Sequence, residues 1–583
     1  MRILGIFDDH NCGAAIIEDG NIIAAIEEER LSRIKLHNGN TKDGPPVKCI
    51  SEVLEMTKSD RTNIDRVSLA ISPPHELQKY VMNDLYKDQK NWKWIVASLF
   101  GNFSWDPYHP FYPYWYNKAR IKKVSKLLKK IELQSIPVDF VDHHTAHAAS
   151  AYYTGGEINA EIITLDGQGD GHAGAYFRGR EGKLEKIITV PSYHSIGLFY
   201  NLITWLLGYK PNRHEGKITG LAAHGDFKKV EELFNDLFSI NGTDFRYNLA
   251  EKIYQHPFPH RSNYPHFKKE IADRIDGISR EDMSAGIQHI AEQVVRKFVD
   301  SSLDSLSDSH VRTAGGVFAN VRINQEVAEL EKVKSMYIFP AMGDGGLCSG
   351  AALYSYYQQA KFGVDYNEIN KQQDVYLGPE YSDEKILAEI KKENLKYEHF
   401  DNIEEKIAEL LANGKVVARF NGRMEYGPRA LGNRSILYQT TDPTVNDWLN
   451  KRLQRTEFMP FAPATLFEDR DECYKNVGEN SFPAMFMTIT FDCTDKLHQT
   501  CPAVVHIDKT ARPQLVTEQS NSSFYRIIKE YKKKTGLLSI INTSFNMHEE
   551  PIVCTPYDAI RAFNLGHLDY LAMSNFLVYP KEQ

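Results

Sequence analysis

Short apolar runs alternate with polar turns in the N-terminal stretch "RILGIFDDHNCGAAIIEDGNIIAAIEEER". This pattern predicts a β-meander of consecutive strands, because short apolar runs bounded by Asp, Asn and Gly are typical of strands joined by tight turns. The first turn carries Asp8, Asp9 and His10. A strand followed by glycines returns at residues 162–177 and 311–320. The repetition predicts two related lobes with a nucleotide cleft between them.

A strand-to-helix turn is predicted at "VDHHTAHAAS". Residues 136–141 have the apolar and β-branched content of a short strand, and the residues after the turn are helix formers. On that helix His143 and His147 are one turn apart on the same face and can reach one ion, whereas His144 points elsewhere. Because position 144 is not Glu, the motif is not the zinc-protease box. A buried histidine satisfied by its neighbours is the alternative.

Two aspartates follow predicted strands in glycine-rich surroundings. Asp166 in "IITLDGQGDGH" is predicted at the carboxyl end of a strand over 162–165, and Asp344 in "IFPAMGDGGLCSGAALY" lies between a strand and a small-residue helix. A plain Asp-Gly turn is the alternative in both places. Two carboxylates and two imidazoles together suit a borderline divalent ion such as iron(II) or zinc.

The remaining pattern predicts an α/β protein of two domains, residues 1–370 and 371–583. An aromatic insertion at about 75–135, "NWKWIVASLFGNFSWDPYHPFYPYWY" at its centre, either lines an acceptor pocket or forms a packed lid. Its last part, "KARIKKVSKLLKKIEL", is an amphipathic helix with a solvated basic face. After the polar stretch near residue 370, "KILAEIKKE" and "IEEKIAELLANGK" predict helices, while "VVARF" and "GLLSIINTSF" predict strands.

Composition narrows the class of protein. A chain of 583 residues is longer than a single hydrophobic core normally supports, so two domains are expected. The formal charge of −8 disfavours a general nucleic-acid binder. The seven cysteines have no CxxC spacing, which is typical of a reducing cytoplasm. The N-terminus does not resemble a signal peptide, and no apolar run approaches the roughly 20 residues of a membrane span. A cytoplasmic protein without membrane or nucleic-acid partners is therefore expected.

Arginines and glycines concentrate in "NGRMEYGPRALGNRS". The spacing of Gly427 and Gly432 imitates a phosphate loop, but Asn433 and Arg434 replace its Gly-Lys pair, so the stretch is not a Walker A motif. Guanidinium groups near free backbone amides still bind small phosphorylated or carboxylated anions, since each fork holds two oxygens.

Several segments in common order resemble the O-carbamoyltransferases of nodulation-factor and antibiotic biosynthesis. They are "LGIFDDHNCGAA", "EEERLSRIK", "HHTAH", "LDGQGD", "GKITGLAAHGD", "AGGVFAN", "GDGG", "GRMEYGPRALGNRS", "PFAPA", "TARPQ" and "NTSFN". The resemblance implies an actin-like ATPase (ASKHA) domain, similar to the tRNA threonylcarbamoyl-transfer protein, followed by a YrdC-like α/β domain. It also implies two steps: carbamoyl phosphate and ATP give carbamoyl adenylate in the second domain, and the first domain transfers the carbamoyl group to a hydroxyl of a small natural product.

The resemblance assigns roles to particular residues. It implies that His143, His147, Asp166 and Asp344 bind a divalent metal, with iron(II) expected and Mg²⁺ accompanying ATP. Nucleotide or carbamoyl adenylate contacts are implied for Asp8, Lys35, Gly167, Gly315, Gly316 and Asn320. Carbamoyl phosphate contacts are implied for Arg423, Arg429, Arg434, Lys451, Arg455, Arg512 and Asn546. His10 falls at the family's general base, which accepts the proton of the acceptor hydroxyl.

Simpler alternatives accompany these roles. His10 can be a hydrogen-bonded turn residue, Lys35 a surface lysine, and the glycines at 315 and 316 a tight turn. Where the family often has arginine, this chain has Met459 and His548. That departure predicts a larger share of carbamoyl phosphate binding for Lys451, Arg455 and Arg512.

Three other functions compete with O-carbamoyl transfer. They are a tRNA threonylcarbamoyl-type transferase, a small-molecule kinase of the same broad fold, and a non-enzymatic nucleotide-binding scaffold. The aromatic insertion favours a ring-bearing or cationic acceptor, because aromatic faces attract both. A homodimer is one open oligomeric state.

Overall fold

The predicted N-terminal meander is present in the computed structural model, which describes residues 1–73, 112–249, 264–303, 308–359, 369, 371–455 and 461–581. Residues 74–111 of the aromatic insertion lie outside this described part, and so does the acceptor pocket or lid predicted for them. The protein is mixed α/β. The strands are β1 (Arg2–Phe7), β2 (Gly13–Glu18), β3 (Asn21–Glu27), β4 (Arg66–Leu69), β5 (Val138–Phe140), β6 (Ala160–Gly169), β7 (His172–Arg180), β8 (Lys183–Pro191), β9 (Phe238–Asn241), β10 (Asp244–Tyr247), β11 (Ser309–Ala314), β12 (Val333–Ile338), β13 (Tyr397–His399), β14 (Val417–Phe420), β15 (Arg434–Tyr438), β16 (Ala462–Leu466), β17 (Phe491–Asp492), β18 (Thr510–Ala511), β19 (Gln514–Val516), β20 (Ser539–Ser544), β21 (Tyr570–Met573) and β22 (Phe576–Val578).

The α-helices alternate with these strands. They are α1 (Glu28–Ser32), α2 (Val47–Thr57), α3 (Tyr112–Lys130), α4 (His143–Tyr152), α5 (Ile196–Leu206), α6 (Glu215–Ala222), α7 (Glu231–Leu237), α8 (Tyr264–Ile271), α9 (Arg280–Ser302), α10 (Val321–Ala328), α11 (Leu347–Gln359), α12 (Asp383–Lys392), α13 (Ile403–Ala412), α14 (Val445–Arg452), α15 (Arg470–Cys473), α16 (Ser481–Ala484), α17 (Asp495–Thr500), α18 (Ser522–Thr535) and α19 (Pro556–Leu565). Within the described ranges, no helix combines the length and apolar character needed to cross a bilayer.

The chain divides into two units. The first unit contains Met1–Ile23, Asn38–Ile50 and Thr57–Lys371, and the second contains Ala24–His37, Ser51–Met56 and Gln372–Gln583. Two short N-terminal pieces therefore count with the second unit. No feature of the sequence indicates this, because it follows from contacts between residues far apart in the chain.

Two five-stranded sheets of the first unit have the same strand order. One is ordered β3-β2-β1-β4-β5 and the other β8-β7-β6-β11-β12. In each, the first meander strand pairs with an antiparallel neighbour on one side and a parallel strand on the other. The repeated strand-then-glycine patterns of the sequence thus correspond to two sheets of one topology.

Two helices rich in small residues pack between these two sheets. Helix α11 packs on β1, β2 and β4, helix α4 packs on β6 and β11, and the two helices pack against each other. The contact depends on glycine, since a Cβ on Gly350 would lie 1.9 Å from the carbonyl oxygen of Ala146. Close helix contact brings the N-terminal ends of α4 and α11 together, and these ends carry the predicted ligands.

Helix α3 has the predicted amphipathic pattern. Val124, Leu127 and Leu128 are buried, while the lysines between them are largely exposed. Apolar residues three and four apart form one helical stripe, so the sequence pattern is sufficient to explain this helix.

An eight-stranded mixed sheet forms the centre of the second unit, in the order β13-β22-β21-β14-β15-β20-β16-β19. Helices α13 and α18 pack together and contribute Ile407, Leu411 and Ile527 to the core against Val417 and Ile540 of the sheet. The predicted helices and strands of this unit are confirmed. The loop between β14 and β15 carries two of the predicted arginines, Arg423 and Arg429, and Arg434 begins β15.

Candidate functional site

Four predicted ligands meet at one place in the first unit, and we call them the His/Asp cluster: His143, His147, Asp166 and Asp344. The two histidines lie in the first turns of α4, whose N-terminus is capped by the side chain of Asp142. Asp344 lies between β12 and α11.

The position of Asp166 differs in detail from the prediction. Strand β6 continues to Gly169, which pairs with His172 across a tight turn, so Asp166 lies within the strand and not at its end. The pairing shifts between Leu165 and Gly169. Such an irregularity re-aims side chains locally, and here Asp166 lies beside α4.

The distances within the cluster suit a single cation. Asp166 Oδ2 lies 3.3 Å from His143 Nε2 and 3.1 Å from His147 Nε2. Asp344 Oδ1 lies 3.6 Å and 3.7 Å from the same two nitrogens. One potential ligand atom from each residue lies within 4.8 Å of all the others.

Electrostatics at the cluster are strongly coupled. Burial favours the neutral form of Asp166, but hydrogen bonds with His143 and His147 hold the pKa of that carboxyl well below its usual range. Burial and the charge of Asp166 raise the pKa of Asp344 well above the ordinary value. Burial opposes the charge of His143, yet Asp166 and Asp344 raise its pKa. Positive charge beside Asp166 and Asp344 would favour the charged form of both carboxyls.

The residues fit a divalent metal. Asp344 Oδ1 is buried and makes no hydrogen bond within the described structure. Buried polar atoms normally have partners, so an oxygen directed at two imidazoles is a reasonable metal ligand. Two imidazole nitrogens and two carboxylate oxygens suit a borderline ion such as iron(II) or zinc.

His144 has the separate role that the sequence predicted. Its Nδ1 lies 3.0 Å from Thr164 Oγ1 and its Nε2 lies 3.1 Å from the carbonyl oxygen of His172. Burial, followed by the charge of His143, keeps its pKa well below the ordinary value. His144 is a neutral tether between α4 and the second sheet.

The first turn of the meander lies next to the cluster. His10 Nδ1 is 4.0 Å from Asp344 Oδ2, and the His10 side chain is 40% exposed. This position is open to a substrate and close to the predicted metal, as a general base would need to be.

Asp8 and Asp9 are held by helix α3, which the sequence analysis missed. The Arg120 guanidinium donates to Asp8 Oδ1 at 2.7 Å, and the Tyr116 hydroxyl donates to Asp9 Oδ2 at 2.5 Å. Asp8 is therefore engaged through Oδ1 in a buried ion pair. A signal was present: Arg120 shares the apolar stripe of Val124 in an otherwise basic helix.

The predicted nucleotide glycines lie directly against the cluster. Gly315 has φ of +108°, and a Cβ there would lie 2.1 Å from the Leu165 carbonyl oxygen. A Cβ on Gly316 would lie 2.8 Å from Asp166 Oδ1, and Gly167 N donates to that oxygen at 2.6 Å. Only glycine allows such a close approach of backbone to the cluster.

Asn320 and Lys35 are the remaining residues with a predicted nucleotide contact. The Asn320 side chain caps α10 and donates to Gln288 Oε1 at 2.8 Å, so the structure assigns it a capping function. Lys35 is half-buried and counts with the second unit.

In the second unit the predicted arginines separate into two groups. The arginine loop comprises residues 421–434. Arg434 is fully buried, donates to the carbonyl oxygens of Asn421 and Gly422, and lies over the Phe420 ring at 3.8 Å. Arg423 donates to the carbonyl oxygens of Leu377 and Gly378. These two guanidinium groups hold the backbone, a role that the sequence analysis did not anticipate.

Arg429 and Arg512, the arginine pair, have a different environment. Burial lowers the pKa of Arg429 to about 10. Burial and the charge of Arg429 lower the pKa of Arg512 well below the ordinary value. Arg512 Nε is buried and makes no hydrogen bond within the described residues. Two neighbouring half-buried arginines are a candidate anion site.

The other predicted residues of this site are partly brought together. Arg455 donates to Asn546 Oδ1 at 3.0 Å and to the Ser544 carbonyl oxygen at 2.6 Å. Lys451 is exposed on α14. His548 is half-buried, and Met459 lies outside the described residues.

Three polar residues that the sequence analysis missed hold the arginine loop in place. Glu425 Oε1 accepts hydrogen bonds from the amides of Leu431, Asn433 and Arg434. Gln514 Nε2 donates to the Leu431 carbonyl oxygen, and Asn542 Nδ2 donates to that of Ala430. Polar residues in "GRMEYGP", "TARPQ" and "NTSFN" were the available signal.

Comparison with known proteins decides the family. The carbamoyltransferase N-terminus matches residues 2–353, and the carbamoyltransferase C-terminus matches residues 408–580. The chain belongs to the carbamoyltransferase family. This carbamoyltransferase is therefore a transferase enzyme, and the non-enzymatic scaffold alternative does not fit it.

Relatives of this carbamoyltransferase match most of its length. An uncharacterized protein of Methanocaldococcus jannaschii is 32% identical over 100% of both chains. The nodulation protein NolNO of Sinorhizobium fredii is 28% identical over 98% of this chain and 79% of its own. The 3'-hydroxymethylcephem-O-carbamoyltransferase of Streptomyces clavuligerus is 25% identical over 67% of this chain and 71% of its own. The family resemblance read from the sequence is confirmed.

Proposed function

We propose that the protein is an ATP-dependent O-carbamoyltransferase that acts on a small hydroxylated molecule. In the first step carbamoyl phosphate, ATP and water give carbamoyl adenylate, phosphate and pyrophosphate. In the second step the acceptor hydroxyl attacks the carbamoyl carbon, AMP leaves, and the hydroxyl proton passes to a base. The cephem relative, whose name states O-carbamoyl transfer, supports a hydroxyl acceptor.

The observation that carries this proposal is the arginine pair. Two neighbouring half-buried arginines, with Arg512 Nε buried and without a hydrogen bond among the described residues, favour an anion rich in oxygens. Carbamoyl phosphate is such an anion. We therefore place the first step in the second unit, with Arg429 and Arg512 as its phosphate ligands.

The second step is proposed at the His/Asp cluster. A bound iron(II) or zinc would act there as a Lewis acid toward phosphate or carbonyl oxygens. The protein's own residues orient the reaction: Gly316 lets backbone approach Asp166 Oδ1, and His10 lies beside Asp344 with part of its ring exposed. His10 accepts the hydroxyl proton as the acceptor oxygen attacks.

The fold supports nucleotide chemistry in the first unit. Two sheets of identical strand order, each an antiparallel meander followed by parallel strands, favour an actin-like ATPase fold. A YrdC-like fold for the second unit, a cytoplasmic location, the absence of nucleic-acid and membrane partners, and a homodimer are further parts of the proposal. Mg²⁺ would accompany ATP.

The test is pyrophosphate release from ATP, measured with and without carbamoyl phosphate and then with a panel of hydroxylated natural products. We expect release that requires carbamoyl phosphate, and carbamoylated product only when an acceptor is present. Arg512→Ala should reduce release about 100-fold at low carbamoyl phosphate, because a two-point contact to phosphate is lost. His143→Ala should keep release and lose product formation.

Matched substitutions of an arginine and a histidine outside the two proposed sites control for nonspecific effects on folding and activity. Arg526→Ala removes an exposed arginine on α18 that pairs with Glu404, and should leave release unchanged. His310→Ala removes a half-buried histidine bonded to Ser335, and should leave transfer unchanged. ATP binding without carbamoyl-phosphate-dependent pyrophosphate release, under every metal and acceptor condition, would overturn the proposal.

A further inference from the structure

The segment Ala24–His37 is an integral part of the second unit, although it lies near the N-terminus of the chain. It contains the end of β3 and helix α1. Ala25 N donates to the Leu377 carbonyl oxygen at 3.1 Å. Arg33 donates to the carbonyl oxygens of Pro551 and Ile552 at 2.8 and 2.7 Å. The second unit therefore needs a piece of chain that precedes most of the first.

Two side chains of this segment hold one peptide of the arginine loop. Glu27 Oε1 accepts a hydrogen bond from Gly427 N at 3.0 Å, and Arg30 Nη2 donates to the Gly427 carbonyl oxygen at 2.9 Å. Both polar backbone groups of Gly427 are thus bound by residues roughly 400 positions earlier in the chain. We call this arrangement the Gly427 clamp.

The clamped peptide lies close to the arginine pair along the chain. Gly427 has φ of +106°, and Pro428 follows it and precedes Arg429. Proline fixes its own φ, so few torsions separate the clamped peptide from the Cα of Arg429. The orientation of Gly427 therefore largely determines where the Arg429 side chain starts.

The clamp is built from buried charges. Glu27 and Arg30 are 2% and 4% exposed, and Arg30 Nη1 lies 3.1 Å from Glu29 Oε1. Burying such groups costs several kcal/mol of solvation, and apolar side chains of similar volume often give equal or better stability. A polar clamp is better suited than an apolar contact to fixing one peptide in one orientation.

We propose that Glu27 and Arg30 are positioning residues for the anion site of the second unit. By fixing Gly427 they place Arg429 beside Arg512, where the two guanidinium groups together bind the phosphate of carbamoyl phosphate. The inference rests on the function proposed above and adds N-terminal residues to a site otherwise formed by residues 421–546.

The test compares Glu27→Ala, Arg30→Ala and Glu27→Gln with the wild type in carbamoyl-phosphate-dependent pyrophosphate release. The two alanine variants should raise KM for carbamoyl phosphate about tenfold and leave KM for ATP within about twofold, since only the anion site is misplaced. Glu27→Gln should retain a KM near that of the wild type, because its amide oxygen can still accept from Gly427 N.

Arg33→Ala is the matched control, because Arg33 belongs to the same segment and binds backbone outside the arginine loop. It should lower thermal stability without changing either KM. A second readout is amide hydrogen exchange of the peptide 424–434, which should accelerate in both alanine variants and not in Arg33→Ala. If Glu27→Ala and Arg30→Ala have the same KM for carbamoyl phosphate and the same exchange rate of peptide 424–434 as Arg33→Ala, the positioning role is overturned.

The two proposals fail in distinguishable ways. A wild type without carbamoyl-phosphate-dependent release overturns the proposed function. Calorimetry with inorganic phosphate then decides the positioning role: weaker phosphate binding in Arg30→Ala than in Arg33→Ala supports it, and equal binding overturns it.

Discussion

The His/Asp cluster of the first unit places imidazoles beside carboxylates, whereas the arginine pair of the second unit places one half-buried arginine beside another. In the cluster each group shifts the pKa of its neighbours, and a cation would stabilise both carboxylates. At the arginine pair, burial and the charge of Arg429 both lower the pKa of Arg512. A bound anion would oppose both effects and stabilise the charged guanidinium group. The surroundings of the two places therefore favour ligands of opposite charge.

The two places also differ in how their residues are held. The cluster residues project from a strand and from the N-terminal ends of packed helices, which are rigid elements. The arginine pair depends on a loop, fixed by Glu425, Gln514, Asn542 and the Gly427 clamp. Sites on loops depend on supporting side chains. Substitutions of supporting residues should consequently affect the second unit more than the first.

The largest expected effect is at the cluster itself. Replacing His147 with Ala removes one of two imidazoles, and we expect metal per chain to fall at least about tenfold and carbamoyl transfer about 1000-fold. Metal content by mass spectrometry and transfer by product analysis check this. Equal metal content in His147→Ala and His310→Ala would mean that the cluster is not the metal site.

A second prediction concerns the ion pair beside the cluster. Arg120→Ala leaves Asp8 without its buried cation, so we expect a loss of about 3 kcal/mol in the free energy of unfolding. Arg120→Lys, which keeps a charge, should lose less. Denaturant unfolding measures both. Equal losses in the two variants would show that packing, and not charge, explains the contribution of Arg120.

The third prediction concerns the charge of Arg512, which lies beside that of Arg429. Arg512→Met should stabilise the ligand-free protein by about 1 kcal/mol, because a buried like charge is removed. The same variant should lose the stabilisation that inorganic phosphate gives the wild type. Thermal unfolding with and without phosphate tests both statements. Arg526→Met serves as the control, and a less stable Arg512→Met without phosphate would contradict the charge argument.

The smallest effect is expected at Glu215, a carboxyl in neither site. Burial raises its pKa to about 7. The unfolded chain releases this proton near pH 4.3, so between about pH 4.3 and 7 the folded form holds more protons and stability falls as pH rises. Glu215→Gln should therefore raise the midpoint of thermal unfolding more at pH 8 than at pH 4. An equal shift at both pH values would show that the charge of Glu215 has no such effect.

Regular sequence patterns predicted much of the fold. The meander, helix α3, the helix that carries His143 and His147, and the elements of the second unit could be read from apolar periodicity and turn residues. The four residues of the His/Asp cluster were also assembled from spacing, strand-end position and family resemblance. These features depend on neighbours in the chain, which is why the sequence contains them.

Other residues had no local signature. Arg434 and Arg423 were predicted to bind an anion, but their guanidinium groups donate to backbone carbonyls of residues up to dozens of positions away. Arg120 was counted with a solvated basic helix, yet it is buried against Asp8. A guanidinium group can donate to a carboxylate, a phosphate or a carbonyl oxygen, so the sequence alone does not identify its partner.

The sequence by itself determined the family, the strand and helix content, and the residue types able to bind a metal and a phosphate. The tertiary structure alone decided that Ala24–His37 belongs with the second unit, that Gly427 is held by Glu27 and Arg30, and that Arg429 and Arg512 are neighbours. The physical reason is the separation along the chain over which each kind of interaction acts. Periodicity and turn chemistry act over a few residues, whereas burial and charge pairing join groups hundreds of residues apart.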